Sequence, residues 1–278
     1  MSPMDSPWKQ LPNRHWAWLQ RLCWVGAAFA LCILGASILL RLMTVLDAQG
    51  QAVSRLDPGL EHAVRLLHRV CASSVALLAL GVLALCWRAR HTDVKVMPPA
   101  AWIAASTVVL ALIGPLTTGY RLGSITVVNV SFGMILLMAF WWLRETIAVA
   151  ADAWPRHPAD ALSWTIFLAM VLHMGTGAAA SAWAMHGLRW PAYVHLASLL
   201  LCLTLVGVLL FGPRNATILS HRVSALAVLL GLQLVVGGLL MWQDPRSVAL
   251  SYFHAMVSPL VAAAAVSIMV RGGQPRPK

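Results

Sequence analysis

His195 and His254 are the residues of this 278-residue chain whose type and placement point most directly to metal chemistry. Each lies roughly one helical turn inside the end of a long apolar run, so two helices of one bundle would present imidazoles at equal depth from opposite sides. Bis-histidine ligation of haem iron needs that arrangement. The plain alternative is two unrelated histidines, each hydrogen-bonded to a backbone carbonyl or a serine across a helix interface. A repeat favours ligation: His68 lies 127 residues before His195, and Asn129 lies 125 before His254. The equivalent upstream places thus carry another nitrogen ligand and a polar residue. Ionisable groups inside apolar runs are costly in a bilayer and usually face an interior site.

The stretch Glu61-His62-Ala63-Val64-Arg65-Leu66-Leu67-His68-Arg69 is the richest ionisable cluster in the chain. Helical spacing puts Glu61, Arg65, His68 and Arg69 on one face, which by itself describes a salt-bridged helix end. Read as a site, it gives His68 as an iron ligand, Glu61 as a carboxylate near a reacting group, and Arg65 or Arg69 as the partner of a haem propionate. Arg189 and Arg246 are the propionate candidates for the His195 and His254 pair, since a guanidinium grips a carboxylate through paired hydrogen bonds. Their ordinary role at a rim would be to anchor headgroups. Asn129 cannot replace a second imidazole; it leaves the sixth iron position weak or open, as oxygen chemistry requires, or marks a decayed site. His173, near the middle of its run, reads as a bonded core histidine, and Gln233 as an interhelical hydrogen-bond partner. The 12 methionines are scattered, which suits packing rather than copper binding. No phosphate-loop, dinucleotide-binding, zincin or nucleophile-elbow pattern is present.

The elements that must position these residues follow from composition. Only 10% of the chain is charged and 60% is hydrophobic, whereas soluble domains carry roughly 25% charged residues. A water-soluble globule is excluded, and the main solvent is lipid. Eight apolar stretches have membrane-crossing length: 22–43, 66–87, 99–120, 122–143, 162–184, 192–212, 223–243 and 248–270. Lipid offers backbone polar groups no partner, so each is expected to be a helix. Tryptophans such as Trp24, Trp87, Trp142, Trp190 and Trp242 fall near the expected ends, at headgroup level. The net charge of +11 comes from basic residues spread between apolar runs rather than massed on a face, which argues against nucleic acid. Alternating sides along the chain puts 13 of the 20 Lys and Arg on the side of the termini, so both termini are expected to be cytoplasmic. The longest outer loop is expected from Thr44 to Arg65. The five cysteines all lie inside apolar runs and indicate neither a disulfide framework nor a thiolate metal site.

A Pro-bearing inner loop, Asp152 to Pro158, divides the chain into residues 1–150 and 151–278, four helices each. The expected fold is therefore an all-α polytopic membrane protein whose eight transmembrane helices form two tandem, pseudo-symmetric four-helix bundles. Four helices per unit is an even number, so the repeats are parallel and equivalent residues face the same side of the membrane.

With these residues in place the chain resembles the haem A synthase family. The likeness covers nearly the whole chain. It rests on Gly35-Ala36-Ser37 with Arg41, Leu67-His68-Arg69, Gly114-Pro115-Leu116-Thr117 and Val127-Val128-Asn129 in the first half. In the second half it rests on Gly175-Thr176-Gly177-Ala178, Val194-His195-Leu196, Leu232-Gln233 with Gly237-Gly238, and Phe253-His254. The resemblance implies haem b held by His195 and His254 in the C-terminal bundle. It also implies an N-terminal bundle that binds haem O at His68 and oxidises a ring methyl to a formyl, giving haem A for cytochrome c oxidase, with a carboxylate from the first outer loop. The chain departs from the family in that half. Asn129 stands where a second histidine belongs, Arg65 replaces a glutamate with Glu61 one turn away, and the outer-loop cysteine pair of many members is absent.

Three functions follow as expectations. The first is a divergent haem A synthase with Glu61 and His68 at the reacting centre and haem b relaying electrons. The second is a haem b electron-transfer subunit of a respiratory complex with a structural N-terminal half. The third is a haem-free assembly factor. The expected location is a bacterial cytoplasmic membrane. Expected partners are the lipid bilayer, an electron donor, haem O-producing or oxidase-assembly proteins, and further copies of the chain.

Overall fold

A computed structural model describes residues 13–46, 52–90, 94–117, 123–151, 161–184, 190–211, 217–242 and 247–271. Eight long helices dominate: α1 Asn13–Leu42, α2 Pro58–Ala89, α3 Met97–Ile113, α4 Gly123–Ala151, α5 Ala161–Ala184, α6 Trp190–Phe211, α7 Thr217–Trp242 and α8 Val248–Arg271. All eight, α3 together with the short 3-10 turn that follows it, are long and apolar enough to cross a membrane. The protein is an all-α polytopic membrane protein. Its outward surface is apolar, with Leu77, Leu80, Leu112 and Val228 among the exposed side chains, as a lipid-facing surface requires.

The loop expected from Thr44 to Arg65 is shorter than the apolar pattern suggested. Strand β1 Thr44–Leu46 pairs antiparallel with β2 Ala52–Ser54, and α2 begins at Pro58. Two local signals set that start. The Asp57 carboxylate accepts from the backbone N–H groups of Gly59 and Leu60 at 2.9 and 3.3 Å, satisfying donors that have no intrahelical partner. Pro58, whose missing N–H costs nothing at the first helical position, follows it. The apolar run marks where lipid begins, while the helix starts two turns earlier.

α1 packs on α2 and α4, α3 on both of the same neighbours, α5 on α6 and α8, and α7 on α6 and α8. Contacts of α4 with α5 and α8, and of α1 with α8, join the two sets. A first core gathers Cys23, Val82, Ile103, Phe140 and Leu143 and extends into Ala262 and Val266 of α8. A second gathers Ile166, Met170, Leu226, Leu230 and Ile268 from α5, α7 and α8. Close approach relies on small residues, as helix packing in lipid generally does: the Phe140 ring of α4 rests on Gly26 of α1.

Candidate functional site

The candidate site lies where the first two turns of α6 and α8 meet the middle and C-terminal half of α5. The His195 and His254 rings meet edge to face, with centroids 6.2 Å apart and planes at 89°. A metal–imidazole bond of about 2 Å plus about 1.2 Å from nitrogen to ring centre, taken twice, spans about 6.4 Å. A centroid separation of this size would admit one metal ion between the two rings where both ring nitrogens turn toward it. Both residues are half-buried.

Their surroundings are built around the rings. A Cβ on Gly177 of α5 would lie 2.8 Å from Cε1 of His195, and one on Gly237 of α7 would lie 3.2 Å from Cε1 of His254. Each imidazole thus occupies a hollow that glycine leaves in a neighbouring helix, a close approach that a side chain at 177 would prevent.

Hydrogen bonds fix the His195 ring and its tautomer. Nδ1 lies 3.2 Å from the His173 carbonyl oxygen, which can only accept, so Nδ1 carries the proton and Nε2 keeps its lone pair. That is how an imidazole is oriented for metal binding through the other nitrogen. Thr176 donates to the same carbonyl at 2.8 Å and sits 3.3 Å from Nδ1. Ser198 donates to the His195 carbonyl at 2.7 Å, so at its 3.0 Å contact with Nδ1 of His173 the imidazole is the donor. The buried His173 ring stacks on His195 at 4.3 Å with planes 9° apart.

His254 is held differently. Pro259, buried in α8, removes one backbone hydrogen bond just beyond the histidine. Gln233 of α7 reaches across to this stretch, donating to the His254 carbonyl and to Ser258 Oγ, both at 3.0 Å. The ring's own Nδ1 is buried without a hydrogen-bond partner. A buried ring nitrogen left alone is costly, and only a group that engages Nδ1 itself offsets that cost. Among the described residues no group of three or more His, Cys, Asp or Glu is arranged to hold a bare metal ion. The donor set is two imidazoles, a set that would suit a haem iron.

The N-terminal candidates are not gathered in the same way. Glu61 accepts a hydrogen bond from Arg65 Nε at 2.7 Å, an i,i+4 pair on the first turns of α2. The salt-bridged helix end is therefore real, and the Glu61 carboxylate is engaged. His68 and Asn129 are half-buried and Arg69 is exposed; among the described residues neither His68 nor Asn129 hydrogen-bonds another side chain. Arg189 and Arg246 lie outside the described residues.

Three features went beyond what the sequence suggested. His173, read as a core histidine bonded to a neighbour, is that, but it also stacks on a candidate ligand. Thr176 and Gly177 belong to Gly175-Thr176-Gly177, singled out only for its likeness to a family, and each serves the His195 ring. A largely apolar cavity of about 500 Å³ between α4, α5 and α6, lined by Met134, Val171, Thr176 and Val194 among others, adjoins that ring's hydrogen-bond network through Thr176. No protein-family model matches this chain, and no curated protein matches it either.

Proposed function

We propose that the protein is a haem-binding membrane oxidoreductase similar to haem A synthase, with haem b held between His195 and His254. The observation that carries the reading is the pair itself: two imidazoles 6.2 Å apart, each in a glycine hollow, on helices of an integral membrane protein. Bound there, haem b would supply one-electron transfer. The chain's own residues prepare the site. The His173 carbonyl and the Thr176 hydroxyl hold the His195 proton on Nδ1 and leave Nε2 for iron, while Ser198 ties down the His195 backbone carbonyl and the His173 ring. Gln233 fixes the backbone of His254. Gly177 and Gly237 keep side chains away from both rings.

In this reading the two halves are tandem four-helix bundles related by pseudo-symmetry, supported by the equivalent spacing of His68 and Asn129 to His195 and His254. The N-terminal half would take haem O as substrate and oxidise a ring methyl to formyl, giving haem A, with dioxygen as the oxidant that is reduced to water. His68 is its iron ligand, Glu61 its nearby carboxylate, and Arg69 a propionate partner. Arg189 and Arg246 are the propionate partners in the other half. Both termini face the cytoplasm of a bacterial cell, and an electron donor and oxidase-assembly proteins are the expected partners.

Two observations favour a narrower function. Glu61 is bound to Arg65 and Asn129 replaces a strong ligand, so the N-terminal half would be structural and the protein a haem b electron-transfer subunit. Incubating the purified protein with haem O and a reductant under air, then chromatographing the extracted haem, separates the two. Haem A in wild type but not in His68→Ala supports the synthase; haem O recovered unchanged from both leaves the electron-transfer subunit.

A further inference from the structure

The cavity of about 500 Å³ between α4, α5 and α6 is separate from the space between the two candidate ligands, since neither His195 nor His254 lines it. Its walls come from both halves of the chain: Ser131 and Met134 from α4, Val171, Gly175 and Thr176 from α5, and Val194 from α6. Gly175 keeps its middle clear, for a Cβ there would meet nothing within 4 Å.

Three features limit what can occupy it. Leu172, a lining residue halfway along α5, is 55% exposed, so the cavity reaches the lipid-facing surface at mid-span and its occupant must dissolve in the bilayer. No charged side chain lines it, and its polar side chains are the Ser131 and Thr176 hydroxyls with the Trp183 and Trp190 indoles. A charged ligand would be desolvated without a counter-charge, whereas a plain acyl chain would leave the hydroxyls unused. A mostly apolar pocket of this size with a few placed polar groups suits a small amphipathic ring compound. Finally, Thr176 sets that compound beside the redox site, because its Oγ1 lies 3.3 Å from Nδ1 of His195.

We propose that this cavity holds the ring of a lipid-soluble isoprenoid hydroquinone, the electron donor to haem b; the donor role rests on the reading of His195 and His254 as haem ligands. The Ser131 and Thr176 hydroxyls are hydrogen-bond partners for the ring oxygens. Oxidation of one hydroquinone breaks its two O–H bonds and leaves a quinone with two C=O bonds. The two electrons reduce two ferric haem b groups to ferrous, one electron each, and the two protons pass to water at the end of the cavity marked by Trp183 and Trp190.

Two measurements on the full chain in detergent test this. Equilibrium dialysis with a decyl-substituted benzoquinone reads binding whether or not haem is present. Saturable binding is expected, and decylbenzene, which keeps ring and tail but has no oxygens, should compete about tenfold more weakly. Gly175→Leu, which fills the cavity and raises helix propensity, should weaken quinone binding about tenfold or more, and Ser131→Ala about threefold; both should keep the wild-type haem content. In the second measurement, the matching hydroquinone added without air should reduce ferric haem b in wild type and about tenfold more slowly in Gly175→Leu, while dithionite reduces both alike. No saturable binding, equal competition by decylbenzene, or wild-type affinity in Gly175→Leu would overturn the quinone site. Haem b that dithionite reduces and bound hydroquinone does not would overturn the donor role with the haem reading intact. Saturable quinone binding by a wild-type chain without haem would overturn the haem reading, and the donor role with it, and leave the quinone site standing.

Discussion

Gly177→Ala and Gly237→Ala add the same single carbon beside the two candidate ligands, yet the structure sets different consequences. The new Cβ at 177 would lie 2.8 Å from the His195 ring, 0.6 Å inside the 3.4 Å at which ordinary contact begins; at 237 the distance is 3.2 Å, a shortfall of 0.2 Å. Metal–ligand distances tolerate about 0.2 Å. The His254 ring can absorb its displacement, but the His195 ring cannot, because its Nδ1 is bonded to the His173 carbonyl and its face is stacked on His173. Alanine raises helix propensity by about 1 kcal/mol over glycine, so both variants should fold. Gly177→Ala should bind haem about 10- to 100-fold more weakly, as when a ligand's orienting partners are lost. Gly237→Ala should stay near wild type. Haem-to-protein ratio across a haem titration, with the low-spin visible spectrum as a check on ligation, reads the difference. Equal affinities in the two variants would refute the reasoning.

Glu145→Ala removes the buried acceptor shared by the guanidinium groups of Arg144, Arg222 and Arg271 and should destabilise the protein by about 3–5 kcal/mol, measured as a lower unfolding midpoint in detergent. Thr176→Val with Ser198→Ala frees the His195 and His173 rings from their hydroxyl partners and should shift the haem midpoint potential in redox titration; an unchanged potential would argue that these hydroxyls do not orient the ligand. His68→Ala should leave the C-terminal haem spectrum intact while abolishing any haem O conversion; joint loss of both would show that the halves are not separate sites. Asp57→Ala should weaken the first turn of α2 by about 1 kcal/mol, seen as faster amide exchange at Gly59 and Leu60 with little change elsewhere.

The eight helices were legible because lipid imposes them: an apolar run near 20 residues has one way to satisfy its backbone. Their ends were less so, since charged residues such as Glu61 and Arg65 can extend α2 beyond the apolar run once Asp57 caps it. His195 and His254 stood out as ionisable groups inside such runs, and Gln233 as an amide that must find a partner. Of the supporting residues, Thr176, Gly177 and Gly237 were marked only by the family resemblance and Ser198 not at all. All four are common small residues in membrane helices, and only the rotation of α5, α6 and α7 about their axes decides that they meet an imidazole. Glu145 with Arg144, Arg222 and Arg271 spans over a hundred residues of sequence; the arginines read singly as topology signals, and only the packing of α4 against α8 brings them to one carboxylate.

The central claim is that His195 and His254 ligate haem b, and the most direct test is a reduced-minus-oxidised spectrum of the detergent-purified protein, wild type and His254→Ala, with the extracted haem identified by chromatography. A low-spin haem b signal present in wild type and lost in the variant is the result predicted. A wild-type protein without haem, or a signal that survives the loss of His254, would contradict it.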